Sequence, residues 1–500
     1  MGGKSFKQSE KEELAFAVIS SFMEDTYYES KDKRVSRIAK LVEQLAKDDP
    51  LFIAKLAIIT RREFHMRSAF HVLIGELVKN HNGDSLVSNT IFEGVERPDD
   101  LLEIASYING GKRPWPKQIQ KGIHKAIHKF DGYQLAKYRG DNKAYSLVDL
   151  FNLVRPKPET QKEAEAWAKL IDGELKNKDT WESRLSSETG RADKGKTWKE
   201  LIASEKMGYM AILRNLRNIA ETADAETIKK VADIITNPEL VKRSKQLPFR
   251  FLSAYVALGE KKKGDSSLTF EKDVDSIEVL QKAVEKALEV SIQNLPDLGG
   301  RTVILTDNSG SMRGDDGGKS LVSAYSKRTT ADIANLFATL YWSRCDNTIV
   351  ATFGDRLLQP KMDRSKSLFE NFDIVEYAGT HVGPGTETGI FTMFEKINTE
   401  KLPVDRVIIF SDCQLGTGCT WYDTGARRSA DFNKLFQTFR KNNPEAMVYS
   451  VDLRGYGNTV FSDGVVEISG WSDKIFDLMG RMEKKEGLVK WIEEYPVQLL

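Results

Sequence analysis

The sequence predicts a two-part protein in which a solenoid of paired α-helices precedes a doubly wound α/β domain with a parallel sheet. Apolar residues recur at helical spacing from about residue 10 to residue 255. Further along the chain they instead form short Val- and Ile-rich runs separated by helical stretches, which is typical of buried parallel strands. The first 300 residues contain 50 Lys and Arg against 46 Asp and Glu, whereas the last 200 contain 24 against 27. We therefore predict a helical domain over residues 1–295 and an α/β domain over residues 296–500.

In the helical part, short breaks rich in Gly, Pro and Asn separate about a dozen amphipathic stretches with little strand signal. This pattern indicates helical pairs stacked side by side, and about six HEAT-type pairs of ~40–47 residues would fit. Representative apolar sets are Ile38, Leu41, Val42 and Leu45; Leu56, Ile59, Phe70 and Leu73; and Met210, Leu213, Leu216 and Ile219.

In the second part, strand-like runs alternate with helical stretches, as they do in doubly wound domains. Just before this part, the polar stretch Gly259–Ser267 is expected to be a loop, and a helix is expected from about Ser276 to Gln293. Within it, a helix is expected over Thr330–Cys345. The predicted strands are Thr302–Thr306, Thr348–Phe353, Arg406–Phe410, Met447–Val451 and Val465–Ile468.

The composition favours a folded protein of the cytoplasm. With 40% hydrophobic and 29% charged residues, the chain is not disordered as a whole. Its 74 Lys and Arg nearly balance its 73 Asp and Glu, so a charged partner must bind a local patch. The polar amino terminus predicts no signal peptide, and no apolar run reaches the ~18–20 residues of a membrane span. The three cysteines, Cys345, Cys413 and Cys419, lack metal-ligand spacing, and we expect free thiols.

The first predicted strand ends in a D-x-S-x-S motif formed by Asp307, Ser309 and Ser311. Open α/β sheets place ligand sites at the carboxyl ends of their strands, and alternate residues of a tight loop can turn oxygens toward a hard cation. Thr386 lies in a later glycine-rich loop, and Asp412 follows another buried strand. Alone, Ser and Asp at such positions usually cap helices. The order and context of all five residues favour a site for a divalent cation such as Mg²⁺.

The motif resembles the metal-ion-dependent adhesion site of von Willebrand factor A domains. In that arrangement Asp307 would bind the cation directly, hydroxyl groups would supply neutral oxygens, and Asp412 would act through water. A cation with so few charged ligands remains under-neutralised, so an open coordination position would attract an acidic ligand. We therefore expect a protein partner, such as a nuclease, to dock through the metal site.

Four segments of the helical part are distinctive, namely Met66–Leu73, Gln134–Tyr138, Met207–Asn218 and Leu247–Phe251. They resemble the TROVE module of the Ro autoantigen family, in family order and ahead of an A domain. The resemblance extends over nearly the whole chain and implies helical repeats that the A domain closes into a ring. It also implies a non-catalytic, monomeric protein of a small ribonucleoprotein that takes part in noncoding RNA quality control. In the family, single-stranded 3′ ends of misfolded RNA enter the ring, and Y RNAs bind its outer face.

A basic stretch in the helical part supports RNA binding. Residues 112–157 contain eleven Lys and Arg but three Asp. Lys117, Lys121, Lys125 and Lys129 recur every four residues and would form one basic ridge on a helix. Such a ridge is often only a solvated face, but phosphates favour it through charge and counterion release. The predicted RNA-binding residues are Lys112, Arg113, Lys117, Lys121, Lys125, Lys129, Lys137, Tyr138, Arg139, Arg155 and Lys157.

Two details bear on which RNA would bind. Trp115, Tyr133 and Tyr138 are interleaved with the basic residues and could stack on bases. The family has a histidine before its Lys-Pro that is associated with Y RNA binding, whereas this chain has Arg155 at the closest position. The positive charge is kept, and the choice of structured RNA stays open.

Two further motifs have the spacing of catalytic or metal sites. Residues 190–197 match the phosphate-loop pattern G-x-x-x-x-G-K-T, but no strand precedes them, so we predict a flexible loop between helices. His124 and His128 have the spacing of a zinc-binding pair, but no third ligand is evident. We interpret them as histidines on a polar helix face beside the basic ridge.

The sequence patterns are compatible with three functions. The favoured one is an RNA-binding protein of the TROVE and Ro type. An alternative is a subunit of a chelatase- or ATPase-type complex in which the A domain docks a partner and the helical part, a scaffold, binds no RNA. A third, a phosphate-loop NTPase, depends on residues 190–197 alone.

Overall fold

The computed structural model places most of the chain. The residues that it describes are 9–19, 31–109, 115–175, 184–185, 191–205, 207–244, 246, 248–259, 271–293, 295–314, 321, 328–386, 389–412, 425–454, 465–469, 474–484 and 487–499. None of the described helices is both long enough and apolar enough to cross a membrane. Cys345 is a buried free thiol, whereas Cys413 and Cys419 lie outside these ranges.

The first part of the structure consists of helices packed in succession. They are α1 (Glu10–Ile19), α2 (Lys31–Leu45), α3 (Pro50–Arg62), α4 (Arg67–Asn80), α5 (Leu86–Gly94), α6 (Pro98–Asn109), α7 (Lys117–Ile127), α8 (Gly132–Lys137), α9 (Leu147–Val154), α10 (Gln161–Ile171), α11 (Arg191–Ala203), α12 (Tyr209–Thr222), α13 (Ala225–Thr236), α14 (Pro238–Ser244), α15 (Pro248–Gly259) and α16 (Glu271–Ile292). The predicted helical repeats are confirmed.

Local sequence signals fix where several helices begin and how closely they pack. Asp49 precedes Pro50 at the start of α3, and its carboxylate accepts a hydrogen bond from the Phe52 amide at 3.0 Å. Helix α7 packs tightly on α5 because Gly122 lacks a side chain. A Cβ atom there would lie 2.9 Å from Ile91, closer than van der Waals contact permits.

The second part is a six-stranded sheet in the order β3-β2-β1-β4-β5-β6, with helices on both faces. All neighbouring strands are parallel except β2 and β3. The elements are β1 (Thr302–Asp307), α17 (Gly310–Arg313), α18 (Thr330–Arg344), β2 (Thr348–Phe353), β3 (Leu357–Leu358), α19 (Leu368–Gly379), α20 (Gly389–Thr399), β4 (Arg406–Ser411), α21 (Gly425–Asn442), β5 (Met447–Asp452), β6 (Val466–Ser469), α22 (Lys474–Met482) and α23 (Gly487–Glu493). The doubly wound α/β domain is therefore confirmed.

The α/β domain contacts both ends of the helical part. On one side α23 packs against α3, and Asn89 in α5 donates a hydrogen bond to the carbonyl of Leu499 at 3.0 Å. On the other side α16 meets α19, and the Tyr255 ring lies 4.1 Å from that of Phe369. The α/β domain thus contacts helices near the beginning and near the end of the helical part, and these contacts close the chain into a ring.

Candidate functional site

Two buried carboxylates lie at the carboxyl edge of the sheet. Asp307 is the last residue of β1, and Asp412 directly follows β4. Strand β1 pairs with β2 on one side and with β4 on the other, so the chain reverses its winding direction between β1 and β4. In open α/β sheets, ligands bind in the crevice at that switch point. Both side chains are fully buried there.

The Asp307 carboxylate is held from both sides. One oxygen accepts a hydrogen bond from the Ser309 amide at 2.9 Å, and the other accepts one from the Ser411 hydroxyl at 2.6 Å. Burial, followed by the nearby charge of Asp412, raises the pKa of Asp307 to about 7. A positive charge placed between the two carboxylates would relieve this repulsion.

The hydroxyl candidates surround the same edge. The Ser309 and Ser311 hydroxyl oxygens lie 3.2 Å apart on the turn that begins α17. In that turn the Gly310 amide donates to the carbonyl of Pro384 at 2.9 Å. This bond joins the turn to the glycine-rich loop in which Thr386 lies two residues after Pro384. The structure therefore places Asp307, Ser309, Ser311 and Asp412 at one edge of the sheet, and the loop of Thr386 contacts the turn there.

The chemistry of these residues fits a hard cation, because the donors are carboxylate and hydroxyl oxygens. The described residues contain no cluster of three or more His, Cys, Asp or Glu that could hold a metal. At this edge the hydroxyl groups of Ser309, Ser311 and Thr386 would have to complete the coordination begun by two carboxylates. The donor set therefore suits Mg²⁺ or Mn²⁺ better than zinc.

A basic residue beside the two carboxylates was not predicted. The Arg454 guanidinium is buried, and its Nη1 atom lies 3.9 Å from an oxygen of Asp412. It reaches this position because β4 and β5 are neighbours, with Ser411 paired to Asp452. Since that pairing joins residues distant in sequence, no local motif identifies Arg454.

A polar network behind the turn was also missed. The Asn308 side chain accepts a hydrogen bond from Asn335 at 2.8 Å. Asn335 donates to Glu376 at 2.6 Å, and Arg313 contacts both Asn308 and Glu376. A side chain at Gly379 would collide with this network, because its Cβ would lie 2.2 Å from Asn308. These contacts hold the turn that carries Ser309 and Ser311 in place through the Asn308 side chain.

The basic ridge begins on the exposed face of α7, which carries Lys117, Lys121 and Lys125, and ends at Lys129, two residues beyond that helix. Lys117, Lys121, Lys125 and Lys129 are exposed, whereas Ile123 on the other face is buried. Lys117 and Lys121 make no hydrogen bond or ion pair to any residue within the described ranges. Their ammonium groups are therefore available to phosphates.

The other two lysines of the ridge bind protein atoms. Lys125 donates to the Asn89 side chain at 2.9 Å. Lys129 donates to the carbonyl oxygens of Phe92 at 2.7 Å and Val95 at 2.6 Å, at the end of α5. Although the residue is exposed as a whole, its ammonium group is partly buried against the end of α5, and this burial lowers the pKa of Lys129. All four lysines were predicted to bind RNA, and in this structure two of them instead bond to atoms of α5 and the residues at its end.

The aromatic candidates differ in exposure. Tyr133 is 60% exposed, whereas Trp115 packs against Tyr145 at 5.6 Å between ring centres. The Tyr138 ring lies 4.5 Å from the Arg97 guanidinium and 5.7 Å from the Lys137 ammonium. Of these three aromatic residues, Tyr133 is therefore the best placed to stack on a base.

The remaining predicted RNA-binding residues lie at helix ends. Arg139 pairs with Asp141 at 3.3 Å. Arg155 ends α9 in the left-handed conformation, with φ 46°, and both it and Lys157 are exposed. Lys112 and Arg113 lie outside the described residues.

The segment Met66–Leu73 has a structural role. Arg67 donates to Asp100 at 2.8 Å, and the His71 ring lies 3.1 Å from the same carboxylate. Burial alone would raise the pKa of Asp100, but the hydrogen bond from His71 and the charges of Arg67 and Arg61 outweigh it and hold that pKa well below its usual range. The segment thereby joins α4 to the start of α6.

Two other motifs have no catalytic or metal geometry. His128 lies 3.2 Å from Glu163 and packs against Trp167, and it forms no metal cluster with His124 within the described ranges. Residues 191–197 of the apparent phosphate loop are part of helix α11, so the predicted flexible loop is wrong there. Gly195 permits close packing, because a Cβ atom would lie 2.3 Å from the carbonyl of Thr222.

Comparison with known proteins identifies the family of the helical part. The family model described as the TROVE domain matches residues 14–178 and 172–273, more than half of the chain. The chain belongs to the TROVE-domain family. The resemblance noted in the sequence is thereby confirmed.

Two curated relatives of this TROVE protein are telomerase components. It is 39% identical over 82 residues to telomerase protein component 1 of Mus musculus, a match that covers 16% of this chain and 3% of that protein. The corresponding protein of Rattus norvegicus is 39% identical over 85 residues, again 3% of its length. The chain therefore matches a small part of these relatives.

A solved structure resembles almost the whole TROVE protein. The crystal structure of the Deinococcus radiodurans RO (RSR) protein superposes with a TM-score of 0.67 at 15% identity, covering 95% of this chain and 100% of that one. At this identity the match establishes the shared fold, including the combination of helical repeats with an α/β domain.

Proposed function

We propose that this TROVE protein is a non-catalytic RNA-binding protein of a small ribonucleoprotein. The observation that carries the proposal is the TROVE match over more than half of the chain. The similarity in fold to the Deinococcus Ro protein supports it, because both parts of the chain are included. The free ammonium groups of Lys117 and Lys121 supply a surface that favours phosphates.

The same proposal assigns two RNA sites. Structured, Y-like noncoding RNA binds the basic ridge and the exposed residues near it, with Tyr133 available for stacking on a base. Single-stranded ends of misfolded RNA enter the ring. Together these activities would serve noncoding RNA quality control in the cytoplasm.

We also propose that the edge formed by Asp307 and Asp412 binds Mg²⁺. The oxygen-only donor set and the mutual repulsion of two buried carboxylates support a cation there. Asp307 would contact it directly, the three hydroxyl groups would complete the coordination, and Asp412 would act through water. An acidic partner protein, such as a nuclease, would bind the open position.

The alternative function is a docking subunit of a chelatase- or ATPase-type complex that binds no RNA. It explains fewer of the observed features. It accounts for the cation site, but it assigns no role to the TROVE domain or to the free lysines of α7. The experiment that separates the two is ultraviolet crosslinking of the full chain in cells, followed by sequencing of the attached RNA.

The variant Lys117→Glu with Lys121→Glu serves as the comparison in that experiment. Recovery of a defined set of noncoding RNAs with wild type, and its loss with the variant, would support the proposal. Recovery of no RNA above the background of an uncrosslinked sample would favour the docking subunit.

A further inference from the structure

A buried arginine lies beside the proposed cation site without belonging to its ligand set. Arg454 follows β5 by two residues, and its side chain is 3% exposed. Its Nη1 atom lies 3.9 Å from Oδ2 of Asp412, a carboxylate that is itself fully buried. An arginine remains protonated in proteins, so this edge of the sheet contains a permanent positive charge.

The position of this charge is fixed by several contacts. The Arg454 amide donates to the Asp452 carboxylate at 2.9 Å, and its Nε atom donates to the Thr330 hydroxyl at 3.2 Å. The Thr330 hydroxyl in turn donates to the carbonyl of Met312 at 3.1 Å, in the short helix α17 that begins after Ser309 and contains Ser311. The guanidinium is therefore held between β5, α18 and the ligand-bearing turn.

We propose that Arg454 is a built-in counter-charge that weakens divalent cation binding at the Asp307 and Asp412 edge and so sets the affinity of the site. This inference rests on the proposed cation site. In the metal-free protein the guanidinium offsets part of the negative charge of the two buried carboxylates. A cation that enters must share Asp412 with it and is repelled by it.

The size of the effect follows from the closeness of Arg454 to Asp412, because a cation that shares this carboxylate would lie within a few ångströms of the guanidinium. Charges about 4–6 Å apart near a protein surface interact by several RT, and the interaction is stronger where water is excluded. A divalent ion feels twice the repulsion that a monovalent ion would. Replacing Arg454 by a neutral side chain of similar length should therefore increase cation affinity at least tenfold, whereas a lysine should largely preserve the wild-type value.

The test is calorimetric titration of Mn²⁺ into the full chain. We expect Arg454→Gln to bind Mn²⁺ at least tenfold more tightly than wild type, and Arg454→Lys to stay within about threefold of it. Arg301→Gln is the matched control, because it removes the same charge at the opposite end of β1 and should leave affinity unchanged. Unchanged or weaker binding by Arg454→Gln would overturn the inference.

A second measurement covers the case in which the glutamine variant is poorly folded. Arg454→Met keeps most of the apolar volume, and its Tm is measured in EDTA and in excess Mn²⁺. A metal-dependent increase in Tm larger than that of wild type supports the counter-charge, because tighter ligands stabilise more. An equal or smaller increase contradicts it.

The failure of the inference and that of the cation site have different signatures. If wild type binds Mn²⁺ through Asp307 and Arg454→Gln binds no more tightly, the site stands and the counter-charge does not. If neither protein binds Mn²⁺, both are wrong. If the variant alone binds measurably, both are supported.

Discussion

The ammonium group of Lys129 donates a hydrogen bond to the carbonyl oxygen of Val95 at 2.6 Å, so this lysine caps the carboxyl end of helix α5. It shares the four-residue spacing of Lys117 and Lys121, but those two make no such contact with the described residues. The basic ridge therefore contains lysines of two kinds. The distinction matters for any experiment that reverses charges on α7.

Charge reversal at the two free lysines should weaken RNA binding without affecting the fold. We expect Lys117→Glu with Lys121→Glu to weaken RNA binding at least tenfold and to reduce the salt dependence of log Kd by about 1.4 to 1.8, since each lost phosphate contact removes ~0.7–0.9. Filter binding at several salt concentrations measures both. The control is Lys229→Glu with Lys242→Glu, two exposed lysines on α13 and α14. Equal binding by the variant and wild type would mean that the ridge is only solvated.

Substitution of Lys129 should instead destabilise the protein. Lys129→Met removes two hydrogen bonds to helix-end carbonyls, and we expect the free energy of unfolding to fall by about 1–3 kcal/mol. Lys121→Met should change it by less than about 0.5 kcal/mol. Urea denaturation of the two variants makes the comparison, and equal stability would contradict the capping role of Lys129.

The sequence predicts the five parallel strands of the α/β domain to within one residue at each end, and the physical reason is burial. A parallel strand covered on both faces must be apolar along its whole length, as in Arg406–Ser411, so the run itself marks the strand. The antiparallel strand Leu357–Leu358 was missed because two residues carry no such pattern. The candidates Asp307 and Asp412 could be predicted to lie close together for a similar reason, because the carboxyl ends of parallel strands meet at one edge of the sheet.

Features that depend on contacts between residues distant in the sequence could not be predicted from local sequence patterns. Arg454 meets Asp412 because β5 lies beside β4, and the Asn308 network depends on α18 and α19 packing behind the turn. In α11, the phosphate-loop pattern of residues 190–197, with no strand before it, led to the prediction of a loop. The structure instead uses Gly195 to let two helices approach, a requirement that only the packed neighbour reveals.

The Asp100 network should make the protein sensitive to acid. The folded-state pKa of Asp100 lies well below its unfolded value of 3.8, so its contribution to stability is present above about pH 4 and is lost as the pH falls through the folded-state value. Asp100→Asn should lower the free energy of unfolding at neutral pH by about 3–5 kcal/mol, because it leaves buried cations unpaired. It should also flatten the dependence of stability on pH below 4.

Urea denaturation of wild type and Asp100→Asn between pH 3 and pH 7 tests this expectation. Asp141→Asn is the control, because that carboxylate is largely exposed. Parallel pH profiles for wild type and Asp100→Asn would show that Asp100 is not linked to folding as described.

Neighbouring substitutions in α11 separate packing from nucleotide binding. Gly195→Ala should lower the free energy of unfolding by about 1–3 kcal/mol, because its Cβ meets a backbone oxygen that cannot easily move. Lys196→Ala, at an exposed position, should change it by less than about 0.5 kcal/mol and should leave RNA binding intact. Neither variant nor wild type should hydrolyse ATP. Turnover in wild type that Lys196→Ala removes would revive the phosphate-loop interpretation.

Metal binding should depend on Asp307 most strongly and should be separable from RNA binding. We expect Asp307→Ala to eliminate Mg²⁺ binding in calorimetric titrations and Asp412→Ala to weaken it, because one carboxylate would touch the cation and the other would act through water. Asp346→Ala removes an exposed carboxylate that precedes β2, at the opposite edge of the sheet, and should bind Mg²⁺ like wild type. The basic ridge lies on the helical domain, so EDTA should leave RNA affinity unchanged. Equal Mg²⁺ binding by wild type and Asp307→Ala would rule out the site, and RNA release by EDTA would show that the two sites are coupled.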